Sequence, residues 1–131
     1  METRIHPETG EPLHRDTRPM TVRVGPFREE VMAGGWYPDG EGDSIHSGAD
    51  LADYEDAWKR LRGDYAAYVR ESRKRWRLTQ EQAGKLIGGG KRAFQKYESG
   101  RALPTEAAVG LIELLNADEA NLELLKRIRA A

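Results

Sequence analysis

Lys91, Arg92, Gln95 and Lys96 carry the side chains of this sequence best suited to reading another molecule. They lie in one short run, Lys91-Arg-Ala-Phe-Gln-Lys-Tyr-Glu-Ser-Gly100. Arg92 and Lys96 are four apart, so on a helix they project from the same side. A guanidinium can grip guanine O6 and N7 through two parallel hydrogen bonds, and an ammonium reaches the same atoms less selectively. Thr79 and Gln80 upstream, with Gly90 and Arg101 flanking the run, offer hydroxyl, amide, backbone N–H and cationic groups of the kind that hold phosphate oxygens. On spacing alone, the same cations could be ordinary solvated helix charges.

The sequence offers little for catalysis. It has no cysteine, which removes disulfides, thiolate nucleophiles and cysteine-based zinc sites together. G-x-S-x-G and H-E-x-x-H are both missing. Gly88-Gly-Gly-Lys91 is not a phosphate-binding P-loop, because Arg92 follows the lysine where Ser or Thr is required and Lys85 stands where a further glycine is required. Glu29-Glu30 and Asp53, Glu55 and Asp56 read as solvated charge. A binding protein without a cofactor is expected, not an enzyme.

The 131 residues have a formal net charge of −1, but the charge is unevenly placed. Residues 64–103 carry ten basic and four acidic side chains, whereas 28–63 carry four and nine. A basic block between acidic ones is the footprint of a phosphate-binding surface. No apolar run approaches the roughly 20 residues of a membrane span, and the opening METRIHPETG has no apolar stretch of the leader kind. A cytoplasmic protein with no membrane partner is expected.

The elements that must position these residues follow from pattern. Met20 to Val24 and Arg28 to Ala33 alternate around Gly25-Pro26, which predicts a short β-hairpin. Gly34 to Gly48 reads as loop. From Asp50 the period becomes helical: Leu51, Tyr54, Trp58 and Leu61 form one stripe, with a break expected at Gly63. Tyr65, Tyr68, Val69 and Trp76 continue it, with Arg70, Arg73, Lys74, Arg75 and Arg77 on the other faces. Thr79 and Gln82 form a capping box that opens a short helix ending at glycines 88–90. A second short helix, Lys91 to Ser99, buries Ala93, Phe94 and Tyr97 and closes at Gly100. Gly84 leaves room for the second helix to approach. Pro104-Thr105 and Asp118 start two further helices. Ile112, Leu115, Leu122 and Leu125 on these either close the core or form a dimer contact.

Leu78-Thr-Gln-Glu-Gln-Ala, Ile87-Gly88, Phe94-Gln-Lys-Tyr97-Glu98-Ser-Gly100 and Pro104 together resemble the XRE/Cro-type helix-turn-helix of phage repressors and bacterial antitoxins. The triple-glycine turn and the run after it resemble the MqsA-type antitoxins, over roughly residues 66–116. The resemblance implies that the second short helix enters the DNA major groove. It places the family's recognition Asn and Arg on Arg92 and Lys96, so a different operator sequence is expected. The family's N-terminal zinc domain uses two C-x2-C pairs; by resemblance they fall on His6 and Thr9 and on Pro38 and Glu41. Thr and Pro cannot replace thiolate ligands, and His6, His14 and His46 are read as scattered surface residues, so no metal is expected.

The fold expected is mainly α: an XRE/Cro-type helix-turn-helix domain of about five helices preceded by a small zinc-free β-hairpin domain. Residues 1–49 form the β region, 50–63 a connecting helix, and 64–131 the DNA-binding and dimerisation domain. The resemblance implies an antitoxin that neutralises a protein toxin through residues 1–49 and represses its own operon as a homodimer on double-stranded operator DNA. Phe27, Met32 and Trp36 are candidate toxin anchors, or the hairpin's own core. A stand-alone repressor of phage type is the alternative.

Overall fold

The computed structural model describes residues 2–130. Three strands, β1 (Thr3–Ile5), β2 (Pro12–Val24) and β3 (Phe27–Tyr37), precede five helices. These are α1 (Ala52–Arg75), α2 (Gln80–Ile87), α3 (Ala93–Glu98), α4 (Glu106–Ala117) and α5 (Glu119–Ala130). The chain therefore has a small β region followed by a helical region of five helices, as its patterning predicts. Its contacts fall into two compact units, residues 2–23 with 28–60, and residues 24–27 with 61–130.

In the first unit the strands form one sheet in the order β1-β2-β3, with β1 antiparallel to β2 and Arg4 opposite Leu13. The hairpin is longer than Met20–Ala33. β2 begins at Pro12, and β3 runs on through Gly34 to Tyr37, which the sequence reads as loop. Its end is held by a bridge from Trp36 to Ile45. Leu13, Val22 and Ala33 are buried where the strands face the core.

The start of α1 is tied down twice. Ser47 Oγ accepts from Asp50 N at 3.1 Å and Asp50 Oδ2 accepts from Ser47 N at 2.9 Å, a reciprocal cap one turn ahead of the helix. Arg15 Nη2 and Nη1 then donate to the two oxygens of the same carboxylate, at 2.9 and 3.2 Å. These bonds hold the Asp50 carboxyl well below the usual carboxylate range.

The expected break at Gly63 does not occur, and α1 runs through it without interruption. One glycine in a helix interior costs only about 0.5–1 kcal/mol relative to alanine, which the flanking turns absorb. In the second unit, Tyr65, Val69, Ala83, Phe94 and Ile112 are fully or nearly fully buried, so α1 to α4 share one core. Leu115 and Leu125 belong to it as well. Of the four residues weighed for a dimer contact, only Leu122 keeps partial exposure outside this core. The apolar side chains exposed in this region are Leu103, Leu114, Leu124 and Ile128.

Candidate nucleic-acid interface

Two short helices and the turn between them build the surface. Thr79 Oγ1 accepts from Gln82 N at 3.1 Å, and Gln82 Oε1 accepts from Thr79 N at 2.9 Å, so the capping box forms in full. Ala83 N donates to Thr79 O at 2.9 Å. The N–H groups of Gln80 and Glu81 are then the first-turn donors with no acceptor inside the helix. The Thr79 O–H remains available as a donor.

The turn from α2 to α3 demands glycine. Gly88, Gly89 and Gly90 have φ of 121°, 90° and 92°, a left-handed run that side chains disfavour. Gly84 is required for a different reason: a Cβ there would sit 2.1 Å from Gly90 O. The turn into α3 passes over α2 where α2 has no side chain.

Lys91 and Arg92 lie in the turn that leads into α3, with Arg92 at the N-cap and its side chain making no cap bond. Gln95 and Lys96 follow on the exposed side of α3, opposite buried Ala93, Phe94 and Tyr97. Arg101 follows Gly100 and is exposed too. The side chains of Lys91, Arg92, Gln95, Lys96 and Arg101 have no hydrogen-bond or ion-pair partner among the described residues. These five therefore share one helix and its two flanks, whereas Thr79 and Gln80 lie at the start of α2. Gly90 contributes no side chain; its carbonyl accepts from Ala93 N at 3.2 Å.

Two other cations of the basic block, Arg73 and Arg75, are used internally. Arg73 of α1 donates from Nε and Nη2 to the two oxygens of Glu98, both at 2.9 Å, and from Nη1 to Leu78 O at 3.0 Å. Arg75 Nη2 and Trp76 Nε1 donate to Asn116 Oδ1, at 2.8 and 3.1 Å. Asn116 Nδ2 donates to Tyr68 Oη and Ser72 Oγ, at 2.9 and 2.8 Å, and Tyr68 Oη donates to Glu113 Oε1 at 2.6 Å. Burial and this bond to Glu113 both push the Tyr68 hydroxyl above its ordinary pKa. The sequence does not single out Asn116; nothing local distinguishes a hub residue from a capping one.

The candidate partner residues are dispersed. Phe27 packs edge-on against Tyr65 and Tyr68, with centroids 5.8 and 5.3 Å away, inside the second unit. Met32 is 54% exposed on β3. Trp36 is half-buried, with the Arg4 and Arg15 guanidinium groups 5.9 and 5.5 Å from its ring.

The four positions matched to the zinc pairs do not fit a zinc ion. Buried His6 uses Nδ1 to accept from the backbone N–H of Glu8 and Thr9, at 3.0 and 3.3 Å. Pro38 brings no ligating side chain, and its carbonyl accepts from Arg18 Nη2 at 2.7 Å. His14 faces Asp39 and His46 faces Ser44 and Gly34 O, so the three histidines are separately engaged. His6 is thus part of a hydrogen-bonded turn and not a surface residue as expected. No group of three or more His, Cys, Asp or Glu able to hold a metal occurs among the described residues.

A capped helix, a glycine turn and a second helix with an unpaired cationic face have the geometry of a helix-turn-helix motif. Comparison with known proteins then identifies which kind. The family described as the antitoxin component of bacterial toxin-antitoxin system, MqsA, matches residues 33–129, and the chain belongs to that family. It is 37% identical over 62 residues to Antitoxin MqsA of Escherichia coli (strain K12), a match covering 47% of this chain and 45% of that protein. The chain thus aligns with less than half of that relative's length. No helix among the described residues is long and apolar enough to cross a membrane.

Proposed function

We propose that this protein is the antitoxin of a type II toxin–antitoxin pair, binding a cognate protein toxin and, as a homodimer, the operator DNA of its own operon in the cytoplasm. It acts by binding and not as an enzyme. The observation that carries the DNA half is the unpaired face of Lys91, Arg92, Gln95 and Lys96 on a helix whose other side is locked into the core. Arg92 and Lys96 read base edges, while Thr79, Gln80, the Gly90 turn and Arg101 hold phosphates.

Residues 1–49 form the toxin-binding region in this reading, with Met32 and Trp36 as its anchors; Phe27, the third candidate, packs instead against Tyr65 and Tyr68. The N-terminal part of α1, in place of a separate connecting helix 50–63, leads from it into the DNA-binding and dimerisation domain. Exposed Leu114, Leu124 and Ile128 supply the apolar part of the dimer contact. Two recognition helices one DNA turn apart require such a pairing.

Co-expression with the neighbouring genes tests both halves. A small protein should co-purify with the full chain, and the complex should shift the DNA upstream of its own gene. A shift without a partner would instead support a stand-alone repressor of phage type. Absence of both would refute the proposal.

A further inference from the structure

Helices α1 and α3 end in the same hydrogen-bond pattern. After α3, Gly100 N donates to Tyr97 O at 3.3 Å and Arg101 N to Lys96 O at 3.0 Å, with Gly100 at φ 76°. After α1, Arg77 N donates to Lys74 O at 3.0 Å and Leu78 N to Arg73 O at 3.3 Å. The left-handed position of that second motif holds Arg77, at φ 58°. It is the only non-glycine residue with positive φ among the described residues. Glycine is the usual occupant, because a Cβ in this conformation crowds the neighbouring carbonyl. Arginine is therefore the less stable choice for closing α1.

What arginine adds at this point is a cation in a particular place. Arg77 lines a cleft of about 570 Å³ together with Lys85, Lys126 and Arg129, over Leu78 and Leu86. Three of the four cations have partners: Lys85 lies 3.4 Å from Glu81, Lys126 lies 3.4 Å from Glu123, and Arg129 Nε donates to Leu86 O at 2.9 Å. The Arg77 side chain has none among the described residues. Gln82, which closes the cap on Thr79, lines the same cleft. The cleft thus opens beside the first turn of α2, where Thr79 and Gln80 offer their donors.

We propose that Arg77 binds a phosphate of double-stranded DNA outside those reached by Thr79 and Gln80, with the other cations of the cleft extending this contact along the backbone. This rests on the DNA-binding reading above and enlarges its footprint. A carboxylate-rich peptide would also suit a cationic cleft with a leucine floor. The cleft's continuity with the α2 N-terminus favours the phosphate backbone.

The test is fluorescence anisotropy of the full chain on labelled upstream DNA over a range of salt concentrations, with melting curves for each variant. Arg77→Gly should weaken binding severalfold, equally for the operator and for unrelated DNA, and make the log–log salt dependence shallower by about one. Its melting temperature should equal or exceed that of the wild type. Arg77→Lys should keep the wild-type salt dependence, and Lys126→Gln should show a smaller loss in the same direction. Gained stability with lost affinity is a pairing that a purely structural role would not produce. Unchanged affinity and salt dependence in Arg77→Gly, while Arg92→Ala loses operator preference, would refute the role of Arg77 and leave the DNA reading standing. Failure of the wild type to bind any DNA would overturn both. Loss of a protein partner with DNA binding intact would assign the cleft to an acidic peptide and overturn the proposal.

Discussion

Arg73 and Glu98 meet side-on through two parallel N–H···O bonds of 2.9 Å, joining the last turn of α1 to the last residue of α3. Their side chains are only 14% and 5% exposed, and the third arginine bond, to Leu78 O, fixes the chain entering α2. One guanidinium therefore sets the positions of both short helices. Arg73→Ala should lower stability by about 3–5 kcal/mol, because it leaves a buried carboxylate without its cation. Urea unfolding would measure this, and Glu98→Gln, which keeps an acceptor, should lose less.

Asn116 uses both amide hydrogens and its carbonyl oxygen on three side chains of α1, Tyr68, Ser72 and Arg75, and on Trp76 just after it. Asn116→Ala would strand Trp76 Nε1 on a buried residue and take a donor from Ser72 Oγ, which keeps its own bond to Tyr68 O. A loss of about 2–3 kcal/mol is expected from unsatisfied groups of this kind. A changed Trp76 fluorescence spectrum should accompany it. Asn116→Asp should be tolerated better, since it retains the acceptor.

Acid should loosen the first unit at the start of α1. The Asp50 carboxyl is held below its ordinary range by Arg15 and by Ser47. A depressed carboxylate pKa contributes stability above the unfolded value, about 4, that is lost as the pH falls through the folded value. Melting temperature should therefore decline below about pH 4, and Asp50→Asn should melt lower at neutral pH with a flatter acid limb. An equal acid slope in the variant would contradict the assignment.

Gly63 offers the opposite sign. A Cβ built there meets nothing within 4 Å, so no packing contact requires glycine in α1. Gly63→Ala should raise stability by about 0.5–1 kcal/mol, read as a higher melting temperature.

The helix-turn-helix was legible in the sequence because its signals are local. Thr79 and Gln82 cap each other three residues apart, and three glycines announce a left-handed turn. Phe94 and Tyr97 fall on the face opposite Arg92 and Lys96. The sheet was read less well. The first half of β2 contains His14, Arg15, Asp16 and Arg18, whose polarity hides a strand pattern. Those side chains are satisfied by partners distant in sequence, such as Asp50 for Arg15. Ser47-x-x-Asp50 was a visible helix signal, masked by the glycines before it. Gly63 misled because a break signal competes with helical turns on both sides, and the turns win. Arg77 was read as one more helix cation, since no local signal distinguishes a left-handed arginine from a helical one.

Operator binding by Arg92→Ala tests the central claim most directly. Affinity measured across a set of single-base operator variants should fall by about 1–3 kcal/mol for the best site, with preference relaxed at one base pair in each half-site. Lys96→Ala should relax a neighbouring position. Unchanged affinity and unchanged preference in Arg92→Ala would show that this face of α3 does not read DNA.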